Sequence, residues 1–242
     1  MYINAPRYLL RKYCILKLIK NLPKGSVLDI GCGAGDLCET LYKIGYKVKG
    51  IDYSLEAIQL CQTRTKHLLT DSNISFSTEN IEEINETYDI IFICEVLEHI
   101  QNDKETLFKI YQRLKRGGHL ILSVPAHKSW FGPSDEFVGH YRRYDREELI
   151  ELLQFSKFCI KKLWSYGVPF ANLTEFIRNI IYSRKKTKNR MEATKQSGIE
   201  RSIESRFHVF INDFFLYPFY LLQMLFKSTD LGTGYIVIAL KI

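Results

Sequence analysis

The sequence predicts an α/β protein with a doubly wound, mostly parallel seven-stranded sheet and a helical insertion before the last strand. Three observations predict it. Strand-like and helix-like stretches alternate five times between residues 26 and 125. A glycine-rich turn, Gly31-Cys32-Gly33-Ala34-Gly35, stands between the first strand and the helix that follows. A carboxylate, Asp52, ends the second strand.

The elements follow in order. Residues 7–20 place apolar and basic side chains at helical spacing and predict an amphipathic helix, ended by Pro23, Lys24 and Gly25. Val27–Ile30 is a short apolar strand, and a helix starts over 36–44. The strand KVKGI (47–51) leads to Asp52, and Ser54 is the expected N-cap of a helix to about Lys66. ISFSTEN (74–80) is a third strand. YDIIFICEVL (88–97) is a fourth, apolar enough to be buried on both faces. A helix over 103–115 is expected to stop at Gly117-Gly118, before the strand HLILSVP (119–125). Residues 126–144 read as loop and 145–156 as helix. FCIKKLWSYG (158–167) and GYIVIALKI (234–242) are the last two strands. Between them, 169–231 reads as a helical and basic insertion within one domain spanning 1–242.

Composition narrows the class. Of 242 residues, 46% are hydrophobic and 25% charged, enough for a full α/β core, which excludes a disordered or collagen-like chain. The net charge of +7 fits nucleic acid, an anionic membrane or a phosphorylated substrate without choosing among them. The six cysteines form no CxxC pair, so zinc-ribbon and thioredoxin readings fail and reduced thiols in a cytoplasmic protein are expected. Arg7, Arg11, Lys12, Lys17 and Lys20 interrupt the first helix, so it is not expected to be a signal peptide.

The glycine turn carries the chemistry. Glycines there let the backbone turn sharply and let a ligand approach closely. The spacing is GxGxG, and Asp36 stands where a dinucleotide-binding turn has its third glycine. A carboxylate there suits a cationic ligand better than a pyrophosphate. Asp29 lies two residues before the turn, and Asp52 stands 17 positions after Gly35, where a strand-tip carboxylate can accept from two ribose hydroxyls.

VLDIGCGAG with Asp52 and YDIIFICEVLEHI resembles the class I, Rossmann-like methyltransferases that use S-adenosylmethionine, and more narrowly their small-molecule branch. The resemblance covers 26–125 and the last strand. It implies S-adenosylmethionine as methyl donor and S-adenosylhomocysteine as product. Gly31, Cys32, Gly33 and Gly35 would wrap the cofactor, with Asp29 near its ammonium group, Asp52 at its ribose, and Tyr53 also counted in the cofactor site. Asn80 and Ile81 would flank the adenine, and Cys94 and Glu95 would close the site. The family often has Asp where this chain has Asn80, whose side-chain carbonyl can accept the same hydrogen bond.

A hydroxyl acceptor needs a base, and the candidates cluster in 125–149. The segment leaves the tip of the fifth strand, so it is expected over the site. It also resembles a stretch found in methyltransferases of surface-polysaccharide and lipid-linked sugar pathways, matched here by Asp135, Gly139, His140, Arg142, Arg143 and Tyr144. His140 and His127 are the expected bases, with Tyr144 beside them. Arg142 and Arg143 can grip an anionic group in bidentate fashion, and Trp130 is a candidate substrate contact. A second reading makes this a structural loop, with Asp135 paired to an arginine and His140 packed. Glu95, Glu98 and His99 share a helical face, but packing and backbone bonds are expected there rather than a metal.

Arg184, Lys185, Lys186, Lys188, Arg190 and Lys195 precede the apolar stretch 207–226. Asn212, Asp213 and Pro218 argue against a bilayer span. Two readings stay open for 184–226: peripheral contact with the inner face of a membrane, or packing on the sheet edge or a dimer face. The expected acceptor is a small molecule, with lipid-linked and sugar-containing ones included. An RNA methyltransferase is the weaker alternative, since no N/D-P-P-Y/F string or catalytic-cysteine motif is present. A cofactor-binding protein without catalysis is the other alternative.

Overall fold

A computed structural model describes residues 6–68, 71–183 and 213–242, with side chains of the last stretch from 216 onward. The chain opens with helix α1 (Pro6–Ile19), whose buried Leu10, Cys14, Ile15 and Leu18 follow helical spacing. Then come β1 (Ser26–Ile30), α2 (Asp36–Lys43), β2 (Lys47–Ile51), α3 (Leu55–Arg64), β3 (Ile74–Ser77), β4 (Tyr88–Cys94), α4 (Asp103–Arg113) and β5 (Leu114–Pro125). A 3-10 turn (Lys128–Trp130) and a short helix α5 (Pro133–Val138) occupy the stretch expected to be loop. The remainder is α6 (Arg146–Phe155), β6 (Phe158–Tyr166), α7 (Phe170–Tyr182), α8 (Asp213–Leu225) and β7 (Gly234–Lys241).

Local signals set several boundaries. Ser54 caps α3 by accepting from the Ala57 N–H at 3.2 Å, and Asn102 caps α4 by accepting from Glu105 at 3.3 Å. β4 is buried from Ile90 to Cys94, as a strand inside a parallel sheet requires. It ends three residues early because Glu95 adopts φ 56 and a 3-10 turn follows at Leu97–His99. The Gly117-Gly118 pair does not end a helix. α4 stops at Arg113 and both glycines lie inside β5. A Cβ on Gly118 would sit 2.9 Å from the Lys115 carbonyl and 3.1 Å from that of Asp89, so only glycine allows this backbone approach.

The strands form one sheet in the order β3-β2-β1-β4-β5-β7-β6. β1 pairs in parallel with β2 and with β4, and β2 with β3. Strand order reverses between β1 and β4, and the carboxyl ends beside that reversal are where open α/β sheets bind ligands.

The chain divides into two compact units. One comprises Asn21–Leu122, Ile150–Lys162 and Val237–Ile242 and holds the glycine turn. The other comprises Met1–Lys20, Ser123–Leu149 and Leu163–Ile236. In the latter, α1, α7 and α8 share a core of Leu10, Ala171, Leu216 and Tyr220. Residues 184–212, with the basic run and the start of the apolar stretch, lie outside the described residues. The rest of the apolar stretch packs one face inward through Leu216 and Tyr220. Among the described residues, no helix is long and apolar enough to cross a membrane.

Candidate active site

The turn after β1 is held from both sides. Gly31 and Cys32 donate to the Ile51 carbonyl at 2.8 and 3.0 Å, joining the turn to the end of β2. Asp52 then bridges. Its Oδ2 accepts from the Gly33 N–H and its Oδ1 from the Ser54 N–H, both at 2.9 Å. Gly31, Gly33 and Gly35 have φ of 70°, 52° and 73°, a left-handed conformation that favours glycine. At Gly31 space adds to strain, because a Cβ there would lie 2.3 Å from Cγ2 of Val96.

Beneath the turn lie residues that the sequence reading did not place there. Cys61 donates to the Gly33 carbonyl at 2.9 Å, and Arg64 Nη1 donates to that of Ala34 at 2.9 Å. Cys38 donates to Asp29 Oδ2 at 3.2 Å, and Asp29 is buried. A hydrogen bond with Cys32 pulls the Cys38 thiol down, but burial and the Asp29 charge push it up to about 12. The Cys61 thiol is raised by its hydrogen bond with Cys32 and by burial. These thiols are therefore protonated donors that brace the turn rather than nucleophiles.

The other cofactor candidates of this unit fall at the strand tips. Tyr53 is 47% exposed, and burial of its hydroxyl together with the Asp52 charge pushes it up to about 12. Asn80 is exposed and opens a turn in which its N–H donates to Glu83 Oε2 at 2.6 Å, with Ile81 half-buried beside it. Cys94 and Glu95 are buried at the end of β4. Glu95 is a non-glycine residue in the left-handed region, a strain of order 1–3 kcal/mol that proteins concentrate at functional sites.

The other unit holds a buried ionic network. Asp135 Oδ1 accepts from His140 Nδ1 at 2.7 Å, and its Oδ2 accepts from Arg143 Nε at 2.8 Å and from the Gly132 N–H at 3.0 Å. Arg143 also donates from Nη2 to Glu175 Oε1 at 2.5 Å and from Nη1 to the Ala126 carbonyl at 3.4 Å. Glu175 accepts in addition from the Ser134 hydroxyl at 3.0 Å and from Arg7 at 3.3 Å, with Arg178 3.5 Å away. Burial works against ionising Asp135, but the His140 hydrogen bond and the Arg143 charge hold its carboxyl at about 2. Glu175 is likewise held at about 2, against burial, by Arg7, Arg178 and Arg143.

This network revises two expectations. Arg143 is 1% exposed and its guanidinium is committed to Asp135, Glu175 and a backbone carbonyl, so it is not placed to grip a substrate anion. Tyr144 is also 1% exposed, and its backbone bridges to Ala126, which makes it a core residue rather than a proton carrier. Arg142 is half-buried and Trp130 is 39% exposed, so both keep a surface for a ligand. His127 has φ 63, and its Nε2 lies 3.1 Å from the Gly232 carbonyl. A carbonyl only accepts, so Nε2 carries the proton and the lone pair of a neutral His127 is on Nδ1. His140 is the converse. Its Nδ1 must donate to an ionised Asp135, which puts the lone pair of the neutral ring on Nε2. The sequence reading also missed Glu175, whose signal was a lone carboxylate within the apolar helix FANLTEFIRNIIY.

A family model for a methyltransferase domain matches residues 6–162. The chain is 35% identical over 123 residues to a mitochondrial ubiquinone biosynthesis O-methyltransferase of Candida albicans, a match taking in 48% of this chain and 37% of that protein. The chain spans about half or less of the length of the curated relatives it matches. Among solved structures, the [4+2]-cyclase SpnF is similar with a TM-score of 0.63 at 15% identity, covering 96% of this chain and 80% of that one. Phosphoethanolamine N-methyltransferase 2 of Haemonchus contortus, in complex with S-adenosyl-L-methionine, is similar with a TM-score of 0.61 at 19% identity, covering 96% and 52%.

Proposed function

The chain belongs to the methyltransferase-domain family, and on that premise we propose that it moves a methyl group from S-adenosylmethionine to an acceptor on a small molecule. The observation that carries the reading is Asp52, which directly follows β2 and fastens the glycine turn through the Gly33 N–H. The residues fit the cofactor. A three-glycine cradle leaves no room for a Cβ at Gly31, and carboxylates suit a cationic ligand with a ribose. S-adenosylmethionine supplies a methyl already activated on a sulfonium. The chain must therefore bind, orient and exclude water, contributions that together can lower a barrier by roughly 7–11 kcal/mol.

Gly31, Cys32, Gly33 and Gly35 hold the cofactor by backbone, with Asp29 bracing the turn. Asp52 and Tyr53 serve the ribose, Asn80 and Ile81 the adenine, and Cys94 and Glu95 the end of β4. His140 takes the acceptor's proton through Nε2, and Asp135 holds the ring in the tautomer that makes this possible. His127 is the second candidate base, and Arg142 and Trp130 are the candidate acceptor contacts. An oxygen acceptor is favoured by the likeness to O-methyltransferases of ubiquinone biosynthesis. A lipid-linked acceptor is the finer reading, supported by the apolar helix faces of the unit that holds His140. Residues 1–242 are read as one domain, with 169–231 inserted in it.

A second reading is a protein that binds the cofactor without methyl transfer. It is favoured by the neighbour named for [4+2] cyclisation, since a shared fold does not decide a reaction. Calorimetric titration with S-adenosylhomocysteine tests the shared premise. One-to-one binding is expected, weakened at least about tenfold in Asp52→Ala, which is about 1.4 kcal/mol. No binding by folded wild-type protein defeats both readings. Binding with no methyl transferred to any of a panel of hydroxyl and amine acceptors favours the second.

A further inference from the structure

Helix α7 turns an apolar stripe outward. Leu173, Phe176, Ile177, Ile180 and Ile181 recur at helical spacing, and each is 45% exposed or more, with Phe176 at 66%. The opposite side of the same helix buries Ala171, Glu175 and Tyr182. Its inward side thus carries the ion pair, and its outward side is hydrocarbon. α8 repeats the pattern. Leu216, Tyr220 and Gln223 are buried, while Tyr217, Leu221 and Leu225 are exposed, Leu225 at 76%. Scattered exposed apolar residues need no explanation, but a continuous helical stripe marks an interaction surface.

Charge selects the occupant. α1 packs on α8 through stacked rings of Tyr13 and Tyr220, 4.8 Å apart. It carries Lys12 and Lys17, followed by Lys20, and no acidic residue precedes Asp29 in the chain. The one acidic residue of α7, Glu175, is buried and neutralised by arginines. In sequence, Arg184, Lys185, Lys186 and Lys188 follow the end of α7. An apolar stripe beside positive charge fits an anionic lipid surface, where side chains enter the acyl boundary and lysines meet headgroups. A second copy of this chain would bring the same positive helix and meet repulsion instead.

We propose that the outward faces of α7 and α8 dock this protein on an anionic bilayer. The surface stands on its own observations and does not depend on methyl transfer. The test is flotation of the full chain with phosphatidylcholine vesicles, with and without phosphatidylglycerol. Wild-type protein is expected to float with the anionic vesicles and to be released by salt. The variant Leu173→Gln/Phe176→Gln/Ile180→Gln is expected to bind them at least about tenfold more weakly. These side chains are exposed, so the variant should melt as wild type does and bind S-adenosylhomocysteine equally well. Equal binding to neutral vesicles, equal binding by the variant, or a wild-type dimer that the variant converts to monomer would each overturn the proposal. Loss of S-adenosylhomocysteine binding with flotation intact would count against the cofactor site alone.

Discussion

Arg143→Leu is expected to destabilise the fold by about 3–5 kcal/mol at pH 7, measured by urea unfolding. The leucine keeps part of the volume, so the cost is electrostatic. Arg143 is fully buried between Asp135 and Glu175, and its removal leaves carboxylates in a site that burial makes hostile to them. Glu175 retains Arg7 and Arg178, whereas Asp135 is left with the hydrogen bonds from His140 and the Gly132 N–H. Most of the loss should therefore trace to Asp135. Against the 5–15 kcal/mol typical of folded domains, this is a large fraction of the total.

The pH dependence of that loss has a definite sign. In the wild type both carboxyls are held at about 2, below their ordinary values of 3.8 and 4.5. Their contribution is fully present above those ordinary values and is lost as pH falls toward about 2. Without Arg143, Asp135 keeps the His140 hydrogen bond but loses the charge and hydrogen bond of the arginine, so its folded-state pKa rises. The variant then gains relative stability as acid protonates that carboxyl. The gap between variant and wild type should be widest near neutrality and narrow toward pH 4. A gap below about 1 kcal/mol, or one unchanged between those conditions, would show that the network does not carry this charge balance.

The parts of this architecture that were legible in the sequence were those decided over short distances. The Gly31–Gly35 turn, its flanking strand and helix, and the caps at Ser54 and Asn102 depend on residues a few positions apart. Of these, the Asn102 cap was not singled out, although its spacing to Glu105 is the ordinary one. Asp52 was legible as a strand-tip carboxylate, but not as the acceptor that ties Gly33 to Ser54. Arg143 and Glu175 are 32 residues apart, and Arg7 and Glu175 are 168 apart. No periodicity reports such pairings. Arg143 therefore read in one alternative as a cation near a ligand and in the other as an arginine paired with Asp135; the structure bears out the pairing and adds Glu175, which neither alternative contained. The misplaced Gly117-Gly118 boundary has the same origin. Glycine after a helix ordinarily signals a cap, and the close carbonyl of Asp89 that also demands glycine lies 29 residues back.

His140→Gln is expected to lower kcat by about 10²–10⁴ on a hydroxyl acceptor while leaving S-adenosylhomocysteine affinity unchanged. The substitution separates two roles that the buried network could combine. A glutamine amide can still donate to Asp135, so the packing of α5 and the Arg143–Glu175 pairs should survive, and the melting temperature should stay close to that of the wild type. What the amide lacks is a basic nitrogen. The wild-type rate should fall at acid pH as the imidazole takes up a proton, and that limb should vanish in the variant. Asp135→Asn offers the complementary case, because a neutral partner no longer enforces the tautomer that puts the lone pair on Nε2. It should reduce kcat with KM little changed, and it should also lose stability through Arg143. If His140→Gln instead keeps the wild-type rate and its acid limb, His140 is a packing residue. The base would then be sought at His127, whose lone pair lies on Nδ1 and whose strained backbone leaves β5 beside Trp130.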